Sequence, residues 1–144
     1  MPTLTLNHLA ELDAATWDAL VPADQPFLRH AFLSSLEDSG SVTPRTGWTP
    51  SHRLLTDASG NVLAAMPAYA KTHSFGEYVF DHGWADACER AGIGYYPKLL
   101  CAVPFSPVGG PRLLGEPQAL AVLLDEVEAS LLEQGQSGLH VNFT

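Results

Sequence analysis

The chain has 144 residues, enough for one domain with a substantial hydrophobic core and too few for two. Sixteen acidic residues against seven Lys and Arg give a formal net charge of −9, which excludes general nucleic-acid binding because phosphate backbones are bound through basic side chains. Apolar residues make up 46% of the chain in short runs broken by Pro or Gly, so no segment is expected to span a membrane.

The N-terminal region predicts a short strand and a short helix. Residues Thr3–Leu6 alternate as a strand does, and the first residues lack the basic and apolar regions of a signal peptide. Asp13 is placed to cap a helix that turns Trp17 and Leu20 inward. Residues 22–26 then form a connector with a proline at each end.

A second helix is predicted from an apolar repeat at every fourth residue. Leu28, Phe32 and Leu36 would form one stripe along it. Gly40 is placed to end the helix in the left-handed conformation. Residues 41–50, with two prolines, are predicted to be a polar loop.

The middle of the chain predicts strands. Residues His52–Thr56 and 62–69 are strand-like, and the turn sequence at 57–61 joins them as a hairpin. Residues 75–80 are rich in aromatic side chains and predict a third strand. A short helix over 84–91 follows, and Gly92 is expected to stop it.

The C-terminal third predicts a strand, a loop, a helix and a strand. The strand covers 98–103, the loop 104–115, and Pro117 lies in the first turn of the helix. The helix carries an apolar stripe at Leu120, Leu123 or Leu124, Val127 and Leu131. A last strand over 139–143 completes a crossover that predicts a parallel pair within a mixed sheet. The chain ends on that strand, so we expect it to be a truncation with an open sheet edge.

The loop over 104–112 is the most informative candidate site. It lies between a strand and a helix, where ligands of open α/β sheets tend to bind. Gly109 and Gly110 would allow close approach of the backbone to a ligand, and Arg112 could pair with a phosphate or carboxylate. The alternative is a rigid connector shaped by its prolines, because neither a phosphate-binding loop nor a dinucleotide fingerprint is present.

Tyr95, Tyr96 and Lys98 form a second candidate, since together they could hold a polar ligand. The alternative is that one tyrosine packs in the core and Lys98 is solvated. His82 could act as a base near neutral pH, or could be a surface or capping group. Asp81 or Asp86 is expected to cap the helix that follows.

No complete catalytic constellation is found, so the catalytic residue stays unknown. The six histidines lack metal-ligand spacing, and we expect no metal site. A nucleophile elbow is absent, and Cys101 lies in an apolar strand without a neighbouring base. Cys88 and Cys101 are therefore expected to be reduced and buried, which together with the missing signal peptide predicts a cytoplasmic protein.

Several stretches carry a resemblance to a known family. They include GYYPKLL at 94–100 and VPFSPVGGPRL at 103–113, and further matches lie at 25–33, 36–42, 46–48, 71–81 and 84–87. The chain thereby resembles the FemAB-like, GNAT-superfamily proteins of bacteria over nearly its whole length. This implies a single GNAT-like domain over 1–144 with a mixed, mostly antiparallel sheet and flanking helices, the N-terminal half of a protein built from two such halves.

The resemblance also implies a function. Relatives in the Fem group transfer amino acids to cell-wall precursors, and simple GNAT enzymes transfer acetyl from acetyl-CoA to amines. The implied function is an N-acyltransferase or aminoacyltransferase module acting on an amine, with a cell-wall precursor and a second GNAT-like half as partners. Phe105, Gly109, Gly110 and Arg112 would line the ligand, with Tyr96 and Lys98 beside it.

One departure from the family pattern keeps an alternative open. The usual pyrophosphate loop of acetyltransferases is replaced here by PVGGPR at 107–112, and Pro111 has no amide hydrogen to donate. Acetyl-CoA or another acyl-CoA is thus one option among cofactors that the sequence leaves unknown. The alternative function is a non-catalytic recognition or scaffold half that binds a peptidoglycan fragment or its partner domain.

Overall fold

The chain folds as a mixed α+β structure with two four-stranded sheets. A computed structural model describes residues 3–77, 81–107 and 109–143 and, for His82, the backbone alone. The strands are β1 (Thr3–Leu6), β2 (Trp48–Pro50), β3 (His52–Thr56), β4 (Val62–Met66), β5 (Ala68–Lys71), β6 (Lys98–Cys101), β7 (Leu114–Gly115) and β8 (Leu139–Val141). The helices are α1 (Ala14–Asp18), α2 (His30–Asp38), α3 (His82–Arg90) and α4 (Pro117–Leu131).

The predicted hairpin is present, but both of its arms pass from one sheet to the other. The first sheet has the order β1-β3-β4-β7 and the second β2-β5-β6-β8. Ser51 alone separates β2 from β3, and Pro67 alone separates β4 from β5. Because proline has no amide hydrogen, Pro67 interrupts the ladder at this corner, while the Ser51 amide still donates to the Ala68 carbonyl at 2.8 Å.

The first sheet is covered on both faces. Leu54 packs with α1 and α2, and its neighbour Leu55 packs on the opposite face with α4, as alternation along a strand requires. Every residue of β3 is buried for this reason. A third cluster lies on the second sheet and contains Trp48, Tyr69 and Leu100.

The crossover at the C-terminal end is confirmed. Strands β6 and β8 pair in parallel, with Leu99 opposite Leu139, and α4 connects them through the loop. Leu123 and Val127 of the predicted stripe are buried, and the other members are partly buried against the same core. The β8 strand ends at Val141, two residues before the predicted end.

The apolar face of α2 differs from the prediction. Leu28 belongs to a separate 3₁₀ turn, Pro26–Leu28, and the α-helix begins only at His30. The fully buried positions of the helix are therefore Leu33 and Glu37, while Phe32 and Leu36 of the predicted stripe are only partly buried against two of the core clusters. Gly40 does end the helix region in the left-handed conformation, with φ of 83°.

Two further predictions are wrong. The loop predicted over 41–50 contains a 3₁₀ turn, Pro44–Thr46, and its last three residues form β2, whose Trp48 is paired with Lys71 and fully enclosed. The strand predicted over 75–80 is absent at 75–77, where the chain turns through Gly76 with φ of 82°. Tyr78, Val79 and Phe80 lie outside the described residues.

The predicted thiols are both free, and one is buried as expected. Cys101 lies in the core, where burial raises the pKa of its thiol. Cys88 on α3 is only partly buried, so that part of the prediction is wrong.

A buried Glu37–His52 pair ties α2 to the first sheet. The His52 Nδ1 atom accepts from the Ala68 amide, so Nε2 carries the proton and donates to Glu37 Oε2 at 2.7 Å. The other carboxylate oxygen accepts from the Leu9 amide at 2.7 Å. Burial opposes ionisation, but the hydrogen bonds from His52 and from the Leu9 amide outweigh it and lower the pKa of Glu37.

Replacing Glu37 by Ala should remove about 3 kcal/mol from the free energy of unfolding, because two buried donors then lose their acceptor. Glu37→Gln retains one acceptor oxygen and should cost about half as much. Urea denaturation measures both, with the exposed Glu133→Ala as the control. An Ala variant as stable as the control would contradict the role assigned to this pair.

Candidate functional site: two clefts beside a buried charge cluster

Four charged side chains lie close together where β5 ends and β6 begins. We call these residues, Lys71, Glu77, Asp81 and Lys98, the charge cluster. The Lys98 ammonium donates to Glu77 Oε1 at 2.7 Å and to Asp81 Oδ2 at 2.8 Å. The Lys71 ammonium lies 3.5 Å from Glu77 Oε2. Both lysines are fully buried, so the alternative in which Lys98 is solvated is wrong.

Strand register creates the cluster. Lys71 ends β5, Lys98 begins β6, and the two residues lie directly opposite each other in the antiparallel ladder. Like charges facing each other across a ladder destabilise it unless other groups compensate. The segment between β5 and α3 supplies that compensation through Glu77 and Asp81, which gives the cluster two positive and two negative groups.

The Lys71 ammonium is buried away from solvent. It lies 3.8 Å from the centre of the Trp48 ring and donates to the Phe75 carbonyl at 2.8 Å. Burial lowers the pKa of Lys71 to about 8, although the nearby Glu77 carboxylate works in the opposite direction.

Asp81 occupies the position before α3 but does not cap the helix with its side chain, contrary to prediction. Its Oδ2 atom instead accepts from Lys98 and from the Tyr95 hydroxyl. Burial favours the protonated acid, but these hydrogen bonds outweigh it and hold the pKa of Asp81 well below its usual range. Asp86, the other capping candidate, lies within α3 and is exposed.

Two tyrosines connect the charge cluster to the surface. The Tyr96 hydroxyl lies 2.6 Å from Ser74 Oγ, which in turn accepts from Lys98 at 3.0 Å. Tyr95 donates to Asp81, and burial together with that carboxylate raises the pKa of the Tyr95 hydroxyl. The Lys98 ammonium is 5.7 and 5.8 Å from the two ring centres.

Two clefts lie beside these tyrosines. The α3 cleft, of about 460 Å³, is lined by residues that include Ser74, Phe75, Asp86, Glu89, Ile93, Tyr95 and Tyr96. The His140 cleft, of about 470 Å³, is lined by Asp81, Trp84, Tyr95, His140 and Asn142. Tyr95 forms part of the wall of both, so the two clefts adjoin the same cluster.

His73 also lines the α3 cleft, but both of its ring nitrogens are engaged. One lies 2.8 Å from the Thr46 carbonyl, and the other accepts from the Phe75 amide at 3.1 Å. This pattern fixes a neutral ring with a structural role. Among the described residues, no group of three or more His, Cys, Asp or Glu side chains is arranged so that it could hold a metal ion.

The structure places the six predicted ligand residues in two separate groups. Tyr96 and Lys98 belong to the region of the clefts and the charge cluster. Phe105 packs over Trp48, with ring centres 5.2 Å apart, and its amide donates to the Gly76 carbonyl at 3.0 Å. It is partly exposed, with a left-handed φ of 59°.

The remaining loop residues contact the protein itself. The Gly110 amide donates to the Phe143 carbonyl at 3.0 Å, and a side chain at this position would collide with Gln25. Arg112 is buried, and its guanidinium donates to the carbonyls of Gly110 and Pro111. Gly109 is exposed beside Phe143. A ligand-binding role for these residues stays a prediction.

Sequence reasoning missed two of the four members of the charge cluster, Lys71 and Glu77. They lie in the stretch 71–81 that carries the family resemblance, but nothing in that stretch indicates that they meet, and only the strand register brings Lys71 opposite Lys98. The one available signal was a single lysine at one end of each of two apolar strands, and it becomes informative only when the pairing of the strands is known. The His82 side chain, a candidate base, lies outside what the structure describes.

A family model described as peptidoglycan biosynthesis/recognition, the FemAB-like family, matches residues 8–144. The chain belongs to the FemAB-like family. No curated protein and no solved structure matches this FemAB-like chain. Among the residues that the structure describes, no helix combines the length and apolar character required to cross a membrane.

The stability of the FemAB-like chain should depend on pH through Asp81. Its pKa is lower in the folded state than the ordinary 3.8, so the unfolded chain takes up the proton first as the pH falls. Asp81 therefore contributes stability above that value and loses it progressively below. Urea denaturation of wild type and Asp81→Asn gives the difference between their free energies of unfolding. As the pH is lowered from about 6 to about 3, we expect this difference to shrink by about 1 kcal/mol or more.

Asp81→Asn is the informative comparison because Glu37 also has a lowered pKa and titrates in both proteins. A difference in unfolding free energy that stays constant over the same pH range would show that the Asp81 carboxylate is not selectively stabilised in its charged form.

Proposed function

We propose that this chain is the acceptor-binding module of an N-acyltransferase or aminoacyltransferase that acts on an amine of a cell-wall precursor. The observation that carries the proposal is the α3 cleft, which combines exposed carboxylates with hydroxyl groups that are hydrogen-bonded to a buried lysine. Membership of a family associated with peptidoglycan supports a cell-wall fragment as the source of the amine.

The carboxylates suit an ammonium group. Asp86 and Glu89 lie three residues apart on α3, both are exposed, and both line the cleft. A nearby carboxylate stabilises the ammonium form of an acceptor and is also a group that takes up its proton. Acyl transfer requires that proton to leave, because only the neutral amine attacks a carbonyl carbon.

The hydroxyl groups suit the polar remainder of a sugar–peptide ligand. Ser74 and Tyr96 are hydrogen-bonded to each other, and the Lys98 ammonium orients Ser74 by donating to its hydroxyl oxygen. The chain of hydrogen bonds starts from an ammonium that is buried and paired, so these hydroxyls are held in place before a ligand binds. Phe75 and Ile93, exposed by 70% and 62%, add apolar surface for aliphatic parts of a peptide.

A non-catalytic recognition module is the second candidate. It is favoured by the pairing within the charge cluster, where Lys98 is neutralised by two carboxylates and fully enclosed. Such a group shapes a binding surface without taking part in a reaction. In either case we propose that a second GNAT-like half completes the protein, and in the transferase it supplies the donor site.

The amine should dominate binding to the α3 cleft. Calorimetric titration with a lysine-containing stem pentapeptide of peptidoglycan should give measurable binding, and acetylating the lysine ε-amine should weaken it about tenfold, because the charge pairing is lost. Glu89→Gln should weaken binding of the free amine and leave the acetylated peptide unaffected.

Glu128→Gln, an equally exposed change on α4, is the matched control and should bind like wild type. Equal affinity for the free and acetylated peptides would refute the amine site. A transfer assay with the full two-half protein then separates the two candidates, since a recognition module predicts binding that Glu89→Gln weakens but no product.

Acetyl-CoA should not bind tightly to this chain. In the loop that would hold its pyrophosphate, the Gly110 amide already donates to the Phe143 carbonyl, and Pro111 has no amide hydrogen. The Arg112 guanidinium donates to two carbonyls of the same loop. Calorimetry should detect no binding at micromolar concentrations. A micromolar dissociation constant that Arg112→Ala weakens about tenfold would instead establish Arg112 as a phosphate ligand.

A further inference from the structure

Two residues that line the His140 cleft each have a buried polar atom without a hydrogen-bond partner among the described residues. The atoms are Asp81 Oδ1, an acceptor, and Asn142 Nδ2, a donor. Buried polar atoms are nearly always paired, and those that are not usually mark a place where a ligand or water completes the pairing. Both residues line the same cleft.

The charge balance of the region favours a neutral occupant. Lys71 and Lys98 already offset Glu77 and Asp81, and the buried cluster therefore has no charge left to compensate. His140 adds no charge near neutral pH, because burial and the nearby Lys98 lower the pKa of its ring. A cation or an anion would have to lose its hydration without gaining an unpaired partner.

Three aromatic rings line the cleft and favour a flat occupant. The Tyr95 and His140 rings meet edge to face with centres 5.7 Å apart, and the Trp84 indole stands 73% exposed at the opening. An exposed tryptophan beside a cleft offers a large apolar face for stacking.

We propose that the His140 cleft binds a neutral, planar carboxamide, whose N–H group donates to Asp81 Oδ1 and whose carbonyl accepts from Asn142 Nδ2. An ester lacks the donor and a carboxylate lacks it while adding charge, so the site discriminates in favour of amides. This site is separate from the α3 cleft and does not depend on the amine-binding role proposed there.

Nicotinamide is a suitable probe because it is a flat carboxamide, and methyl nicotinate is the matched ester without an N–H donor. In ¹H–¹⁵N spectra the indole signal of Trp84 should shift with nicotinamide, with a dissociation constant on the order of millimolar as is usual for a ligand of this size. The enclosed Trp17 and Trp48 should not shift and serve as internal controls.

Asn142→Ala should weaken nicotinamide binding about fivefold or more, because the carbonyl loses its donor. The amide nitrogen of Asn142 has no partner within residues 3–77, 81–107 and 109–143, so this variant removes no hydrogen bond of that atom there. Gln118→Ala, the same loss of an amide at the surface of α4, is the matched control and should leave affinity unchanged.

Three results would overturn the proposal. They are a Trp84 signal that does not move at tenfold the expected dissociation constant, equal affinity for nicotinamide and methyl nicotinate, and equal affinity of the Asn142→Ala variant and wild type. None of these bears on the peptide titration at the α3 cleft, so failure of one site leaves the other still testable.

Discussion

The arrangement of the second sheet depends on neutralising two lysines that its register places opposite each other. Lys71 and Lys98 are buried in adjacent antiparallel strands, and each would be costly there without a carboxylate. Glu77 bridges the two ammonium groups, and Asp81 completes the pairing of Lys98. Glu77 and Asp81 are buried as a result, and Asp81 is the residue that directly precedes α3.

This constraint also produces the two clefts. With α3 held at Asp81, the side chains of Asp86 and Glu89 border one cleft and Trp84 borders the other. The Tyr95 hydroxyl donates to Asp81, and the Tyr96 hydroxyl is hydrogen-bonded to Ser74, which accepts from Lys98. The paired charges of the cluster hold the surrounding side chains in place, and the amine and carboxamide sites that we propose lie in the two clefts on either side of Tyr95.

Elements with a local cause were predictable. The cap at Asp13, the left-handed Gly40, the turn between β3 and β4, and the α4 stripe each follow from residues close together in sequence. The α2 stripe was only partly right, because Leu28 belongs to a 3₁₀ turn before the helix and Leu33 takes the fully buried position. Strand β2 was missed because Trp48 becomes a strand residue only through its pairing with Lys71.

The sequence by itself determined the class of fold, the parallel crossover around α4, and the membership of the FemAB-like family, since these rest on periodicity and on contiguous motifs. It also singled out Tyr96 and Lys98 as neighbours of a site. Only the tertiary structure decided that Lys98 is buried and paired, and that Lys71, Glu77 and Asp81 join it. The physical reason is that charge pairing acts through space over a few ångströms, between residues whose separation along the chain carries no pattern.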